Sequence, residues 1–99
     1  MTDRRVVITG TGIISCVGKN VADFWSALVE GRCGIDRITR FDTADYRTRI
    51  GGEVKNFDVE QYMSKKDAKR LDLFTQYAVA AAEEAMCQAG FPRNIEAVM

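Results

Sequence analysis

Arg4-Arg5-Val6-Val7-Ile8-Thr9-Gly10-Thr11-Gly12 is the stretch on which the fold turns. Its centre, Val6 to Thr9, is β-branched throughout and predicts a short strand buried on both faces, as in a layered α/β core. Gly10, Gly12 and Gly18 then punctuate a connecting loop. A Gly-x-Gly after an apolar strand invites a dinucleotide-binding reading, but Ser15 stands where the third glycine belongs. The next helical pattern begins near Val21, so no helix N-terminus would meet a pyrophosphate, and the acidic residue expected at the end of a second strand is missing. The preferred role for these glycines is conformational: they let the chain turn beside a packed strand.

Outward from that loop, Asn20 is placed to cap a helix, with Asp23 in its first turn. Val21, Phe24, Trp25 and Leu28 recur at helical spacing and predict one buried stripe, Trp25 included, over about 21 to 30. Gly31 supplies a left-handed stop. Residues 31 to 62 are rich in turns, with a short strand expected within Ile50 to Val54 and with Phe41 and Phe57 anchoring the loops. Ser64-Lys65-Lys66-Asp67 is a capping box opening a second helical region that runs to Ala89 without Gly or Pro. Gly90 and Pro92 end it. A span of that length far exceeds the usual helix of ~11–12 residues, which predicts a break near Arg70 to Asp72. Phe74, Ala78, Ala81, Ala82 and Ala85 fall on one side, and so many alanines imply close approach to another element. A further strand is expected to start over Asn94 to Met99.

Ninety-nine residues make one domain at most, and fourteen basic residues balance fourteen acidic ones. Such a balance disfavours a general nucleic-acid-coating role, which needs a positive surplus over phosphate. No apolar run reaches the ~18 residues of a membrane span, and no signal-peptide pattern is present, so the expected location is the cytoplasm. There is no histidine, which removes the usual general base and the commonest transition-metal ligand. Cys16, Cys33 and Cys87 are odd in number and widely spaced, so neither a disulfide framework nor a metal site is expected. Without a histidine to activate it, Cys16 reads as structural, and so do the other two. The chain alone is a poor candidate for a complete enzyme.

The basic cluster is the candidate site. Lys65, Lys66, Lys69 and Arg70 carry four positive charges opposed only by Asp67. On one helical wheel they span an arc of about 140°, roughly opposite the Phe74–Ala82 side. A solvated helix face explains them in part; the functional reading is a landing site for an acidic partner, since such a patch steers encounter even at zero net charge.

The residues resemble a known family. The Arg4-to-Gly12 stretch, Val17-Gly18, the Phe24-Trp25 helix ending at Gly31, the Gly34-Ile35 turn and Phe41-Asp42 are similar to the N-terminus of β-ketoacyl-acyl-carrier-protein synthases. Ser64 to Asp72 followed by Phe74-x-Gln76-Tyr77-Ala78 is the most specific match and points to the synthase II branch. The resemblance implies a thiolase-like layered α/β fold, of which residues 1–99 would be the N-terminal part, incomplete. It implies a decarboxylative Claisen condensation in fatty-acid elongation, an acyl carrier protein as partner, a homodimer, a cytoplasmic setting and no cofactor. It places the catalytic cysteine and the two histidines of the family after position 99, so no catalytic role passes to Cys16, Cys33 or Cys87. It assigns carrier-protein docking to Lys66, Lys69 and Arg70, and less firmly to Lys65. The alternative is a non-catalytic ketosynthase-like module that binds carrier protein or a partner subunit.

Overall fold

The computed structural model describes residues 3–91. The expected strand over Asn94 to Met99 and the stop at Pro92 lie outside them. The elements in chain order are helix α1 (Val21–Glu30), strands β1 (Ile35–Arg37) and β2 (Ile50–Gly52), a 3-10 turn (Val59–Gln61), a four-residue helix α2 (Lys65–Ala68) and helix α3 (Leu73–Gln88).

Helix α1 forms as the sequence predicts. The Asn20 side chain accepts from the Asp23 N–H at 2.8 Å, and Gly31 closes the helix at φ 70. Only glycine takes that left-handed angle without penalty, and it allows the Arg32 N–H to reach back to the Ala27 carbonyl. The buried stripe differs from expectation. Ala27 is fully buried, Val21 and Phe24 are half-buried, and Trp25 is 65% exposed with Leu28 also exposed. The helix is seated through Ala27, a small side chain, rather than through Trp25 or Leu28.

The Val6–Thr9 expectation is corrected. The run is extended, but among the described residues it pairs with no strand, and Val6, Val7 and Ile8 are 95%, 68% and 86% exposed. The β-branched residues favour the extended form, while burial of both faces needs neighbouring strands, which the described residues do not supply. The observed sheet lies elsewhere. β1 and β2 pair antiparallel, with Ile35 opposite Gly52, Asp36 opposite Gly51 and Arg37 opposite Ile50. β2 was foreseen; β1 falls where the sequence predicted a turn at Gly34-Ile35.

The second helical region breaks where its length demanded. Ser64 Oγ accepts from the Asp67 N–H at 3.2 Å to start α2, and Asp72 begins α3. The break re-phases the wheel: Ala80 is buried, Ala81 and Ala85 are half-buried, and Phe74, Ala78 and Ala82 are exposed. A single wheel drawn through both helices, with the cations opposite Phe74–Ala82, therefore does not describe the chain.

The alanines do meet a neighbour. A Cβ on Gly10 would stand 3.0 Å from the Ala85 carbonyl carbon, with the oxygen closer still, and a Cβ on Gly12 would stand 3.0 Å from the Ala85 nitrogen. Residues 10–13 thus lie directly on the α3 backbone. Two α3 side chains hold them there. Gln88 Oε1 accepts from the Thr11 N–H at 2.7 Å, and Glu84 Oε1 accepts from the Ile13 N–H at 3.0 Å. The spacing explains the match: two residues of extended chain advance about 6.6 Å, close to the ~6 Å between helix positions four apart. The other Glu84 oxygen accepts from the Val21 N–H at 2.9 Å. One carboxylate therefore fixes both the loop and the start of α1.

Candidate functional site

The basic segment is held from two sides. Below it, Phe57 stacks on Tyr62 with centroids 5.7 Å apart and meets Tyr77 of α3 edge-on at 5.0 Å. These rings carry the 3-10 turn on which α2 rests, and such pairs contribute about 0.5–1.5 kcal/mol each beyond area burial. Phe57 is the anchor the sequence predicted. Phe41 is not: it is 55% exposed, and its ring stands edge-on to the exposed ring of Tyr46 within the same loop.

Behind the segment, Gln76 Nε2 donates to the Ala68 carbonyl at 3.0 Å and to the Leu71 carbonyl at 3.2 Å. Those carbonyls lie at the break between α2 and α3, where the Ala68 carbonyl also accepts from the Leu71 N–H at 3.2 Å. Arg40 Nη2 donates to the Tyr77 hydroxyl at 2.8 Å and to the Val54 carbonyl at 3.0 Å. Gln76 and Tyr77, central to the motif singled out from the sequence, therefore position the basic segment.

Lys65, Lys66, Lys69 and Arg70 are all exposed. Lys65 and Lys66 lie in α2; Lys69 and Arg70 follow in its closing turns, with the Lys69 N–H to the Lys65 carbonyl at 3.1 Å and the Arg70 N–H to the Asp67 carbonyl at 3.1 Å. Lys65 is engaged by Glu60 at 3.4 Å. Among the described residues no ion pair involves Lys66, Lys69 or Arg70. Three cations thus face solvent from a backbone fixed by a cap, a glutamine and an aromatic cluster. Such an arrangement can bind a flexible acidic surface; it carries no nucleophile or general base.

A second gathering of charge was not anticipated from the sequence. Lys19, Arg32 and Lys55 converge with Asp23 and Ser15 on an open cleft of about 290 Å³. Each cation there already has a partner: Lys19 donates to the Asn56 carbonyl at 2.7 Å, Arg32 pairs with Glu30, and Lys55 lies 3.6 Å from Asp36. The nearby charge and the Arg37 N–H matter to Asp36: the N–H first, then Lys55, hold its carboxyl below the usual range. The Glu53 carboxyl is likewise lowered, chiefly by the Thr39 N–H and further by the Thr39 hydroxyl and the Arg40 N–H. The Lys19–Asn56, Lys55–Asp36 and Glu53–Thr39 contacts join loops across the cleft and beside it.

Of the cysteines, Cys16 is packed against glycines. A Cβ at Gly34 would come within 2.7 Å of Cys16 Sγ and one at Gly52 within 2.9 Å, so the Cys16 side chain fills space that two glycines leave open. Cys33 and Cys87 are exposed and unpaired with each other or with Cys16. Among the described residues no cluster of His, Cys, Asp and Glu has a metal-binding arrangement, and no helix is long and apolar enough to cross a membrane. The residues that sequence reasoning missed are Glu84 and Gln88; their four-residue spacing on a helix rich in alanine was the available signal.

The family described as "Beta-ketoacyl synthase, N-terminal domain" matches residues 3–97. The chain is 51% identical over 96 residues to 3-oxoacyl-(acyl-carrier-protein) synthase 2 of Vibrio cholerae, covering 97% of this chain and 23% of that protein. It is 49% identical over 83 residues to the synthase of the same name from Synechocystis, covering 84% and 20%. Among solved structures, "The ishigamide ketosynthase/chain length factor" superposes with a TM-score of 0.83 at 36% identity, over 94% of this chain and 23% of that one. The chain thus spans about a quarter of the length of these relatives, and its helices and strands are part of a thiolase-like α/β fold. With the match running through the glycine loop, α1, the basic segment and α3 alike, the chain belongs to the β-ketoacyl synthase family, in its N-terminal domain.

Proposed function

We propose that residues 1–99 are the N-terminal part of a 3-oxoacyl-acyl-carrier-protein synthase of fatty-acid elongation, supplying scaffold and a cationic dock for the carrier protein. The reaction of such a synthase is a decarboxylative condensation. An acyl group is held as a cysteine thioester; malonyl-carrier protein loses carbon dioxide, and the electron pair of the broken C–C bond becomes a carbanion. That carbanion attacks the thioester carbonyl, a new C–C bond forms, and the cysteine thiolate leaves. The reacting cysteine and its histidines belong, on this reading, to other parts of the synthase: this chain has no histidine, and Cys16 is packed against glycines. A cytoplasmic homodimer completes the reading.

The observation that carries the dock is the exposure of Lys66, Lys69 and Arg70, without ion pairs among the described residues, on a segment held by Ser64, Gln76 and the Phe57–Tyr62–Tyr77 rings. An exposed pair contributes ~0–1 kcal/mol, so several must act together. Reversing Lys66 and Lys69 to Glu in the synthase is expected to weaken carrier-protein association about tenfold at low salt and to flatten its salt dependence. Unchanged affinity at low salt would remove the docking role.

The second reading, a non-catalytic partner subunit, is favoured by one observation: the matching solved structure pairs a ketosynthase with a chain length factor. A downstream cysteine in a small-residue turn followed by two histidine motifs decides for the enzyme.

A further inference from the structure

We infer that Glu60 is a specificity-determining residue of the dock: its carboxylate masks Lys65 and directs an acidic carrier protein toward Lys66, Lys69 and Arg70. The inference deepens the dock proposed above and rests on it. Of the four cations in the segment, Lys65 is the one with an ion pair among the described residues, its Nζ standing 3.4 Å from Glu60 Oε1. The Lys65 side chain is 80% exposed and that of Glu60 51%. The pair therefore lies on the surface that a partner meets, not beneath it.

The acid is held in place by its backbone. The Glu60 N–H donates to Asp58 Oδ1 at 3.1 Å, capping the 3-10 turn. The Gln61 and Tyr62 N–H groups close that turn on the Asp58 and Val59 carbonyls at 3.3 and 3.0 Å. Phe57 and Tyr62, on either side of the turn, stack on each other, and the turn packs against α2. Lys65 is the first residue of α2, whose start Ser64 fixes. Both partners thus project from short segments that are already ordered, which lowers the backbone part of the ordering cost of bringing them together.

Two consequences follow from the charges. A cation compensated at 3.4 Å steers an acidic partner less than a free one does. The carboxylate also repels any partner whose acidic surface extends past the start of α2 onto the 3-10 turn. Lys69 and Arg70, at the far end of the segment, form no ion pair among the described residues. Repulsion of a displaced pose sets specificity as much as attraction in the correct one. The segment is thus a dock of three cations with a register, and Glu60 marks its closed end.

The experiment titrates acyl carrier protein at low salt into the 99-residue chain, and into the Vibrio cholerae synthase carrying this chain in place of its matching residues. The unchanged protein, Glu60→Gln, Lys65→Gln and the two together make a double-mutant cycle. Glu60→Gln is expected to tighten association about threefold, within what one exposed pair allows, and to steepen its salt dependence. Lys65→Gln alone is expected to change affinity less than about twofold, yet to weaken it about threefold once Glu60 is replaced. Glutamine keeps the size of the side chain and leaves the Asp58 cap intact; Glu60→Ala must shift affinity in the same direction. This pattern in either preparation supports the inference. Unchanged or weaker binding by Glu60→Gln in both overturns it, as does a Lys65→Gln loss that is equal in the two backgrounds. Reversal of Lys66 and Lys69 to Glu runs beside the cycle. Binding that ignores this reversal, or no binding at all, refutes the dock itself; binding that obeys it but ignores Glu60 refutes the masking alone.

Discussion

Gly12→Ala tests how the glycine loop is seated. The added Cβ would stand 2.9 Å from the Ala81 carbonyl carbon and 3.0 Å from the Ala85 nitrogen, with the Ala81 oxygen nearer still. All three are helix backbone and cannot rotate aside, so the loop must lift by about 1 Å to reach ordinary contact near ~3.5–4.0 Å. That displacement stretches the Ile13–Glu84 bond from 3.0 Å and the Thr11–Gln88 bond from 2.7 Å. Overpacking at ~1–3 kcal/mol, plus a weakened bond to a carboxylate, gives a local cost of about 3 kcal/mol. Hydrogen exchange at the Thr11 and Ile13 amides reads this directly, since about 3 kcal/mol corresponds to a loss of protection of roughly 100-fold. Thr11→Ala removes only a 3.2 Å hydroxyl contact and is expected to cost ~1 kcal/mol or less. Protection at Ile13 that survives Gly12→Ala, or falls equally with Thr11→Ala, would refute the close-packing argument.

Glu84→Gln replaces one accepting oxygen by an NH2 group that faces a backbone N–H, at Ile13 or at Val21; the expected cost is about 1–3 kcal/mol, seen as faster exchange at both amides. Asn20→Ala removes the acceptor for the Asp23 N–H and is expected to fray the first turn of α1 by ~1 kcal/mol, measurable from amide exchange at residues 22–24. Glu53 gives a pH prediction. Its folded-state carboxyl is held below the unfolded value, so its contribution is present above the ordinary glutamate pKa of ~4.3 and is lost as the pH falls through the lowered folded value. The Thr39 and Arg40 amides should therefore lose protection in that acid window, and Glu53→Gln should remove the pH dependence there; an unchanged acid profile in that variant contradicts the tether.

Local signals were legible in the sequence wherever the cause was local. Asn20 and Gly31 bracket α1, Ser64 opens α2, and the break before Leu73 follows from helix length. The basic segment was found because charge on a short helical stretch needs no tertiary information. What sequence reasoning missed depends on neighbours. Val6–Thr9 carries the composition of a buried strand, yet burial requires strands beside it. Trp25 lies on the predicted stripe, but Ala27 is the buried residue of α1 and Trp25 is exposed; which position of a stripe is covered depends on its neighbours. The Gly10-x-Gly12 pattern reads from the sequence as a tight turn beside a packed element, but the residues that hold the loop, Glu84 and Gln88, lie more than seventy residues away, and sequence alone gives no register between them. β1 escaped because a three-residue strand opposite Gly51-Gly52 has almost no pattern of its own.

The most direct measurement of the central claim is condensation by a chimera in which this chain replaces the matching residues of the Vibrio cholerae synthase. The account predicts that the chimera extends an acyl thioester with malonyl-carrier protein, and that it still does so after Cys16→Ser, Cys33→Ser and Cys87→Ser together. A soluble chimera without activity, or one whose activity disappears with those three thiols, would contradict a chain that supplies framework and dock while the reactive thiol lies elsewhere.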